Sequence, residues 1–177
     1  DLNYSSIGIE LVNLSGCDQP IQELGNDLDF YENCQFREFD DRQIELLIKL
    51  LKGILNRYPN IEPINIMGHS DIAPSRKVDP GPTFPWRRLY EEGLGIWYDD
   101  DDYKLFIKRL RNNPPSIAEI QKKLGDLGYL IEVTGIEDLK SQLVVRAFQM
   151  RFREGAYSGF LDLETTAIIS ALYKKYK

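Results

Sequence analysis

Two asparagines followed by two prolines, at residues 112–115, divide this chain of 177 residues into two unequal parts. Asparagine and proline are typical of loops, and a run of them between two helical patterns predicts a linker. The predicted organisation is therefore a first domain over residues 1–111, the linker over 112–115, and a small second domain over 116–177. The length is sufficient for one ordinary domain and one small one.

Three segments after the linker carry apolar side chains at three- and four-residue spacing, which predicts amphipathic helices. The three stripes are Ile117, Ile120, Leu124 and Leu127; then Leu139, Leu143, Ala147 and Met150; then Ile168, Ala171 and Leu172. Packing the three stripes together gives a small all-α three-helix domain.

Three short motifs lie in this second part: IQKKLGDLGY over residues 120–129, VRAFQ over 145–149, and GFLD over 159–162, followed by Thr165 or Thr166. With these motifs the segment resembles the peptidoglycan-binding domain that is appended to many wall hydrolases. Much of each motif is a helix-packing pattern, so a generic helical bundle is the alternative interpretation.

The first part alternates strand and helix patterns. Residues 7–12 place Ile7, Ile9 and Leu11 on one face, which predicts a strand. Glu10 lies on the other face, and we expect it to face a cleft or water because burying an unpaired carboxylate is costly. Residues 13–39 have the composition of a long loop.

A helix is predicted next, with Asp40 as its N-cap and Pro59 as its stop. A short strand with Ile64 and Ile66 then leads to His69, and a short helix is predicted over 86–92. The order strand, helix, strand predicts the α/β class, with a mixed sheet flanked by helices.

The loop after the second predicted strand has the sequence GHSDIAPSRKVDPGP over residues 68–82. It contains His69, the single histidine of the chain, and Asp79. Imidazole and carboxylate suit zinc, and catalytic zinc sites use three protein ligands and a water molecule. Taken alone, the loop also fits a surface turn, because proline, glycine, aspartate and serine favour turns.

The loop continues through TFPW at residues 83–86, and SIGIELVN lies upstream at residues 6–13. Together these segments resemble the zinc-dependent N-acetylmuramoyl-L-alanine amidases, a family of bacterial cell-wall-recycling amidases, phage amidases and animal peptidoglycan recognition proteins. The resemblance implies an amidase-like fold in which His69 and Asp79 bind Zn²⁺. It also implies that Glu10 is the catalytic general base and that Lys77 stabilises the oxyanion.

Each of the non-ligand residues has a second interpretation. Glu10 could be a solvated strand residue, and Lys77 a surface cation that pairs with Asp79 or with Asp71. Arg76 and Trp86 could line the substrate groove, while Trp86 fits a packing role equally well.

Family members carry a first zinc-binding histidine on a strand that precedes the segment of Glu10. The resemblance therefore implies a fold that is incomplete at the N-terminus of this sequence, with strands of the central sheet upstream of Asp1. We expect the third ligand, a histidine, to come from that upstream segment, either as a companion fragment or as residues outside the sequence.

The remaining composition limits the partners. With 28 acidic and 22 basic residues the net charge is −6, which disfavours nucleic acid as a partner. No run approaches the roughly 18 apolar residues of a membrane span. Cys17 and Cys34 could form a disulfide or be free thiols. The acidic run Asp99–Asp102 could bind calcium or magnesium, although a solvated, helix-capping turn is the more common role.

The resemblance implies an enzyme that cuts the amide between N-acetylmuramic acid and L-alanine, with peptidoglycan or muropeptides as its partners. The alternatives are a non-catalytic peptidoglycan-binding protein and a lytic enzyme directed at foreign walls. The expected location is the periplasm or cell envelope, with an outer-membrane anchor in the upstream segment as one option.

Overall fold

A computed structural model describes residues 4–24, 27–153 and 155–177 of the chain. Within these residues there is one two-stranded sheet, and eight α-helices are distributed along the chain. The helices are α1 (Asp27–Asn33), α2 (Asp41–Arg57), α3 (His69–Ile72), α4 (Trp86–Glu91), α5 (Asp100–Leu110), α6 (Ile117–Asp126), α7 (Leu139–Phe152) and α8 (Leu163–Tyr176). None of the described helices is long and apolar enough to cross a membrane.

The sheet lies in the segment that the sequence predicted as a long loop. Strands β1 (Gly16–Cys17) and β2 (Cys34–Gln35) pair antiparallel, with Cys17 opposite Cys34. These two cysteines form a disulfide, the first of the two alternatives that the sequence left open. The disulfide and the ladder together close the segment between them, which also contains α1.

The predicted strands over residues 7–12 and 64–66 are wrong as regular strands. Residues 7–12 have no regular secondary structure, and residues 63–65 form a short 3₁₀ turn. In that turn the Asn65 and Ile66 amides donate to the carbonyls of Glu62 and Pro63, at 2.9 and 3.1 Å. A strand needs a neighbouring strand to accept its hydrogen bonds, and no described segment pairs with either of these.

The predicted faces are confirmed only for residues 9–12. Ile9 and Leu11 are half-buried and pack against the main core, while Glu10 and Val12 are exposed. Ile7, which the pattern placed on the same face as Ile9 and Leu11, is 52% exposed.

Helix α2 confirms the predicted helix and its cap. The Asp40 carboxylate accepts hydrogen bonds from the amides of Arg42 and Gln43, at 2.9 and 3.2 Å. Such a cap satisfies amides that have no partner inside the helix and contributes about 1 kcal/mol. Its buried residues form one stripe at three- and four-residue spacing: Ile44, Leu47, Ile48 and Leu51.

The acidic run begins α5 and forms ion pairs with the end of α8. Asp99 is the N-cap residue, and the following aspartates lie in the first turn, where negative charge interacts favourably with the helix dipole. Lys175 contacts Asp99 at 2.6 Å and Lys174 contacts Asp102 at 2.5 Å. Helix α5 thus lies against α8, although it precedes the predicted linker.

Helices α6, α7 and α8 confirm the three predicted helices of the second part. Each begins at a capping side chain that accepts from an amide in its first turn: Ser116, Asp138 and Asp162 respectively. One apolar cluster contains core residues from both sides of residues 112–115, among them Ile44 and Leu89 from the first part and Phe148 and Ile168 from the second. The apolar core is therefore continuous across the linker.

Candidate functional site

His69 and Asp79 lie side by side at the surface. His69 is the first residue of α3 rather than the end of a strand, and its Nδ1 atom is 3.0 Å from Oδ2 of Asp79. The side chains are 37% and 53% exposed, so both are accessible from solvent. The arrangement brings together the two residues that the family resemblance assigns to the metal.

The pair fits a zinc ion in chemistry and in spacing. Two ligand atoms of one tetrahedral zinc, with bonds of about 2.1 Å, lie roughly 3.4 Å apart. The observed separation of 3.0 Å is close to this distance, so a small opening of the pair would admit the ion. Among the described residues no group of three or more potential ligands is found.

The segment that carries His69 and Asp79, which we call the metal loop (residues 68–79) after the role that the family resemblance gives these two residues, is fixed by its own hydrogen bonds. The amide of Ser70 donates to the carbonyl of Asp79 at 2.9 Å, which joins the two ends of the loop. The amide of Ala73 donates to the His69 carbonyl at 2.9 Å and closes the turn of α3. His69 and Asp79 are therefore held together through the main chain as well as through their side chains.

Two glycines, one at the start of the metal loop and one just after it, allow close packing. A Cβ atom on Gly68 would lie 2.9 Å from Cδ of Pro80 and 3.1 Å from the Trp86 ring. Gly81 has φ +86° and lies directly against the ring of Phe36, where a Cβ atom would clash. Sequence reasoning treated these glycines only as turn formers and missed both contacts.

The proposed catalytic residues are accessible but are not bonded to the pair. Glu10 and Arg76 are exposed, and Lys77 is half-buried. Among the described residues Lys77 forms no ion pair with Asp71 or Asp79, which were its predicted alternatives as a surface cation. The catalytic roles of Glu10 and Lys77, and the substrate contact of Arg76, stay predictions from the motif match.

Two family models match the chain. The model described as N-acetylmuramoyl-L-alanine amidase matches residues 1–82, and a model for a peptidoglycan binding domain matches residues 113–169. Residues 1–82 therefore belong to the N-acetylmuramoyl-L-alanine amidase family. The second match identifies the helical part as the peptidoglycan binding domain that its motifs resemble, in preference to a generic bundle.

Relatives of the amidase family align with almost the whole chain. N-acetylmuramoyl-L-alanine amidase AmiD of Escherichia coli K12 is 38% identical over 176 residues, which cover 99% of this chain and 59% of AmiD. The crystal structure of AmpDh3 from Pseudomonas aeruginosa in complex with anhydromuramic pentapeptide superposes with a TM-score of 0.87. Its identity is 41%, and the match covers 99% of this chain and 64% of that chain.

A second solved structure is the complex of Escherichia coli AmiD with the substrate anhydro-N-acetylmuramic acid-L-Ala-D-gamma-Glu-L-Lys. It matches with a TM-score of 0.71 and 37% identity, over 81% of this chain and 55% of that chain. These likenesses confirm the amidase-like fold class. The chain spans less than two thirds of the length of each of these relatives.

Within this amidase framework Trp86 is a packing residue. Its side chain is buried, and its ring packs edge-on against Phe84 with centroids 4.6 Å apart. The guanidinium carbon of Arg151, from α7, lies 4.1 Å from the centre of a Trp86 ring. Of the two roles that the sequence left open for Trp86, the structure favours packing.

Sequence reasoning also missed a buried polar network beneath the amidase metal loop. Asp71, two residues after His69, is buried and pairs with Arg151 at 2.6 Å. Its other carboxylate oxygen accepts from the hydroxyl of Tyr129 at 2.8 Å. The sequence offered one signal for this network, the charged residue Arg151 among the apolar residues of α7. Its partner Asp71, however, is 80 residues away in sequence.

Proposed function

We propose that the protein hydrolyses the amide bond between N-acetylmuramic acid and L-alanine in peptidoglycan or muropeptides, and that it depends on Zn²⁺. The observation that carries this proposal is the pair of His69 and Asp79. An imidazole and a carboxylate lie 3.0 Å apart and open to solvent, in a segment that belongs to the amidase family.

His69 and Asp79 would hold the zinc ion, with the imidazole neutral and the carboxylate ionised. When bound, zinc acts as a Lewis acid towards the amide carbonyl and lowers the pKa of a water molecule to about 7. The third ligand, a histidine from an upstream segment, belongs to the same proposal. No finding supports a companion fragment as its source.

The side chains of this chain supply the proton transfer and the charge. An amide is a poor electrophile, and its nitrogen departs only when it is protonated. Glu10 takes the proton from the attacking water and returns it to the nitrogen of L-alanine as the carbon–nitrogen bond breaks. Lys77 offsets the negative charge that develops on the carbonyl oxygen. Arg76 contributes a cation to the substrate groove.

Glu10→Gln tests the proposed mechanism. We expect turnover of an anhydro-muropeptide to fall by about 10²–10⁴, since an amide cannot act as the base, while the zinc content stays at the wild-type value. Release of stem peptide by chromatography and zinc content by atomic absorption measure the two quantities. Glu38→Gln is the matched control, because Glu38 is also an exposed glutamate and lies in the same part of the chain.

Normal turnover in Glu10→Gln would show that the base is another residue. If the wild-type protein bound zinc and peptidoglycan but released no stem peptide, the alternative of a non-catalytic peptidoglycan-binding protein would replace the hydrolase. The match of residues 113–169 to a peptidoglycan binding domain is the observation that favours this alternative.

The proposed partners and location follow from the same family. The solved relatives carry an anhydromuramic pentapeptide and an anhydro-N-acetylmuramic acid tripeptide, which supports peptidoglycan-derived ligands. The Cys17–Cys34 disulfide supports an oxidising compartment, and we propose the periplasm or cell envelope. Cell fractionation, with mass spectrometry of the non-reduced Cys17–Cys34 peptide, tests this proposal.

A further inference from the structure

Arg151, in the last turn of α7, contacts residues on both sides of His69. One guanidinium nitrogen donates to Oδ2 of Asp71 at 2.6 Å, and the other donates to the carbonyl of Ile66 at 2.9 Å. Ile66 precedes His69 by three residues and Asp71 follows it by two. A single side chain from the second domain therefore bonds to residues on both sides of His69 and fixes the segment that begins α3.

Asp71 has a complete set of partners, although it is buried. Oδ2 accepts from the amide of Gly68 at 2.9 Å as well as from Arg151, and Oδ1 accepts from Tyr129 at 2.8 Å. Burial, followed by the nearby charge of Asp71, raises the pKa of Tyr129 well above its ordinary value. The hydroxyl therefore stays protonated at neutral pH and continues to donate. A buried carboxylate is tolerated only with such partners.

The other end of the metal loop also meets α7. Val78, directly before Asp79, is buried in an apolar cluster that includes Leu143, Ala147 and Met150 of that helix. The ends of the loop are joined by the hydrogen bond from the Ser70 amide to the Asp79 carbonyl. Helix α7 therefore contacts the segment of each ligand: a charged contact on the His69 side and an apolar contact on the Asp79 side.

We propose that Arg151 and Tyr129 are positioning residues for His69 and Asp79, so that the peptidoglycan binding domain forms the support of the metal loop as well as a binding module. This inference rests on the proposed zinc function. Groups that orient metal ligands from behind typically change metal affinity by 10- to 100-fold when they are removed. Here those groups come from the second domain and act through Asp71 and the loop backbone.

The test compares Arg151→Met with Arg153→Met in the full chain. Arg153 is also an arginine with a buried side chain at the end of α7, and its ion pairs are with Asp162 and Glu164 of the second domain. Hydrogen exchange by mass spectrometry is measured for peptides that cover residues 66–80. We expect Arg151→Met to accelerate exchange there at least ten-fold, and Arg153→Met to leave it within two-fold of the wild type.

Two further measurements report on the metal site itself: the Kd for zinc and the visible absorption spectrum of the cobalt-substituted protein. A residue that only stabilised the fold would leave both unchanged. We expect the Kd for zinc to rise at least ten-fold in Arg151→Met, and the visible absorption of the cobalt-substituted protein to change. Arg151→Lys should recover part of the affinity, since lysine keeps the charge opposite Asp71 but lacks the planar fork that also bonds Ile66. Arg153→Met should match the wild type in both measurements.

Wild-type exchange at residues 66–80 and wild-type zinc affinity in a folded Arg151→Met would overturn the proposal. If that variant does not fold, Tyr129→Phe decides, because it removes one hydroxyl from Asp71 and keeps the ring. Faster exchange confined to residues 66–80 in Tyr129→Phe supports the inference, and exchange unchanged from the wild type refutes it. A wild-type protein that binds no zinc would defeat the proposed function separately, since the exchange result does not depend on the metal.

Discussion

The two aspartates of the metal loop have opposite environments. Asp79 is half-exposed and lies against His69, with open solvent on its other side. Asp71 is buried and is bonded to Arg151, Tyr129 and the Gly68 amide. On the outer face of the loop, the side chains of His69 and Asp79 are accessible to a ligand. On the inner face, both carboxylate oxygens of Asp71 accept hydrogen bonds that fix the loop. Aspartate is therefore exposed on one face of the loop and bonded into the fold on the other.

The largest effect is expected for Asp79→Ala, which removes a proposed zinc ligand from the outer face of the loop. We expect loss of zinc and a fall in turnover of about 10³-fold or more, since Lewis-acid stabilisation is worth several kcal/mol. The free energy of unfolding of the metal-free protein should change by less than about 0.5 kcal/mol, because the side chain is half-exposed. Zinc content, peptide release and urea denaturation measure the three quantities. Full zinc occupancy in this variant would remove Asp79 from the ligand set.

For Asp71→Asn, on the inner face, we expect a large loss of stability, in contrast to the small change expected for Asp79→Ala. This variant leaves the Arg151 guanidinium buried without its counter-ion, and breaking a buried pair in this way costs about 3–5 kcal/mol. Urea denaturation of the metal-free protein, beside Asp79→Asn as the exposed counterpart, measures the difference. A loss below about 1 kcal/mol for Asp71→Asn would mean that the buried network does not stabilise the loop.

These contrasts also show how much the sequence could predict. The helices were predictable because their signals are local: the cap at Asp40 and the stripe of α2 lie within a few residues of one another. The strand pattern of residues 7–12 predicted the inward faces of Ile9 and Leu11, but the partners of a strand lie in another segment.

In the candidate site, too, the contacts within one short segment were predictable and those between distant segments were not. The nearness of His69 and Asp79 followed from a family motif that spans one short loop. The pairing of Asp71 with Arg151 joins residues 80 positions apart, and nothing near either residue specifies the other. The same limit applies to Gly81, whose contact Phe36 lies in the segment closed by the disulfide.

A smaller effect is expected where that segment touches the loop region. Gly81→Ala places a methyl group against the Phe36 ring and also strains a backbone with φ +86°, for a combined loss of about 2 kcal/mol or more. Gly93→Ala is the matched control, because Gly93 has φ +79° and open space around its Cα, so that only the backbone strain of about 1 kcal/mol applies. Equal losses in the two variants would show that the ring moves aside without cost.

The smallest expected effect is the pH dependence of the free energy of unfolding that arises from the Tyr129 hydroxyl, which bonds to Asp71. Its pKa in the folded protein lies well above the ordinary value, chiefly because the hydroxyl is buried. The folded state therefore retains this proton where the unfolded chain has lost it. The resulting stabilisation is complete below about pH 10 and is lost as the pH rises from there towards the folded pKa, at up to about 1.4 kcal/mol per pH unit.

Tyr129→Phe removes the titrating group and should reduce that alkaline slope, whereas Tyr4→Phe, at an exposed position, should not alter it. Urea denaturation at pH 8, 10 and 11 measures the slope for each variant. Because tyrosines 98, 103, 157 and 176 also have raised pKa values, mainly through burial, a residual slope is expected in Tyr129→Phe. A slope identical to that of the wild type would mean that the Tyr129 hydroxyl is open to water, and hence that the inner face of the metal loop is not closed by α7 and its neighbours.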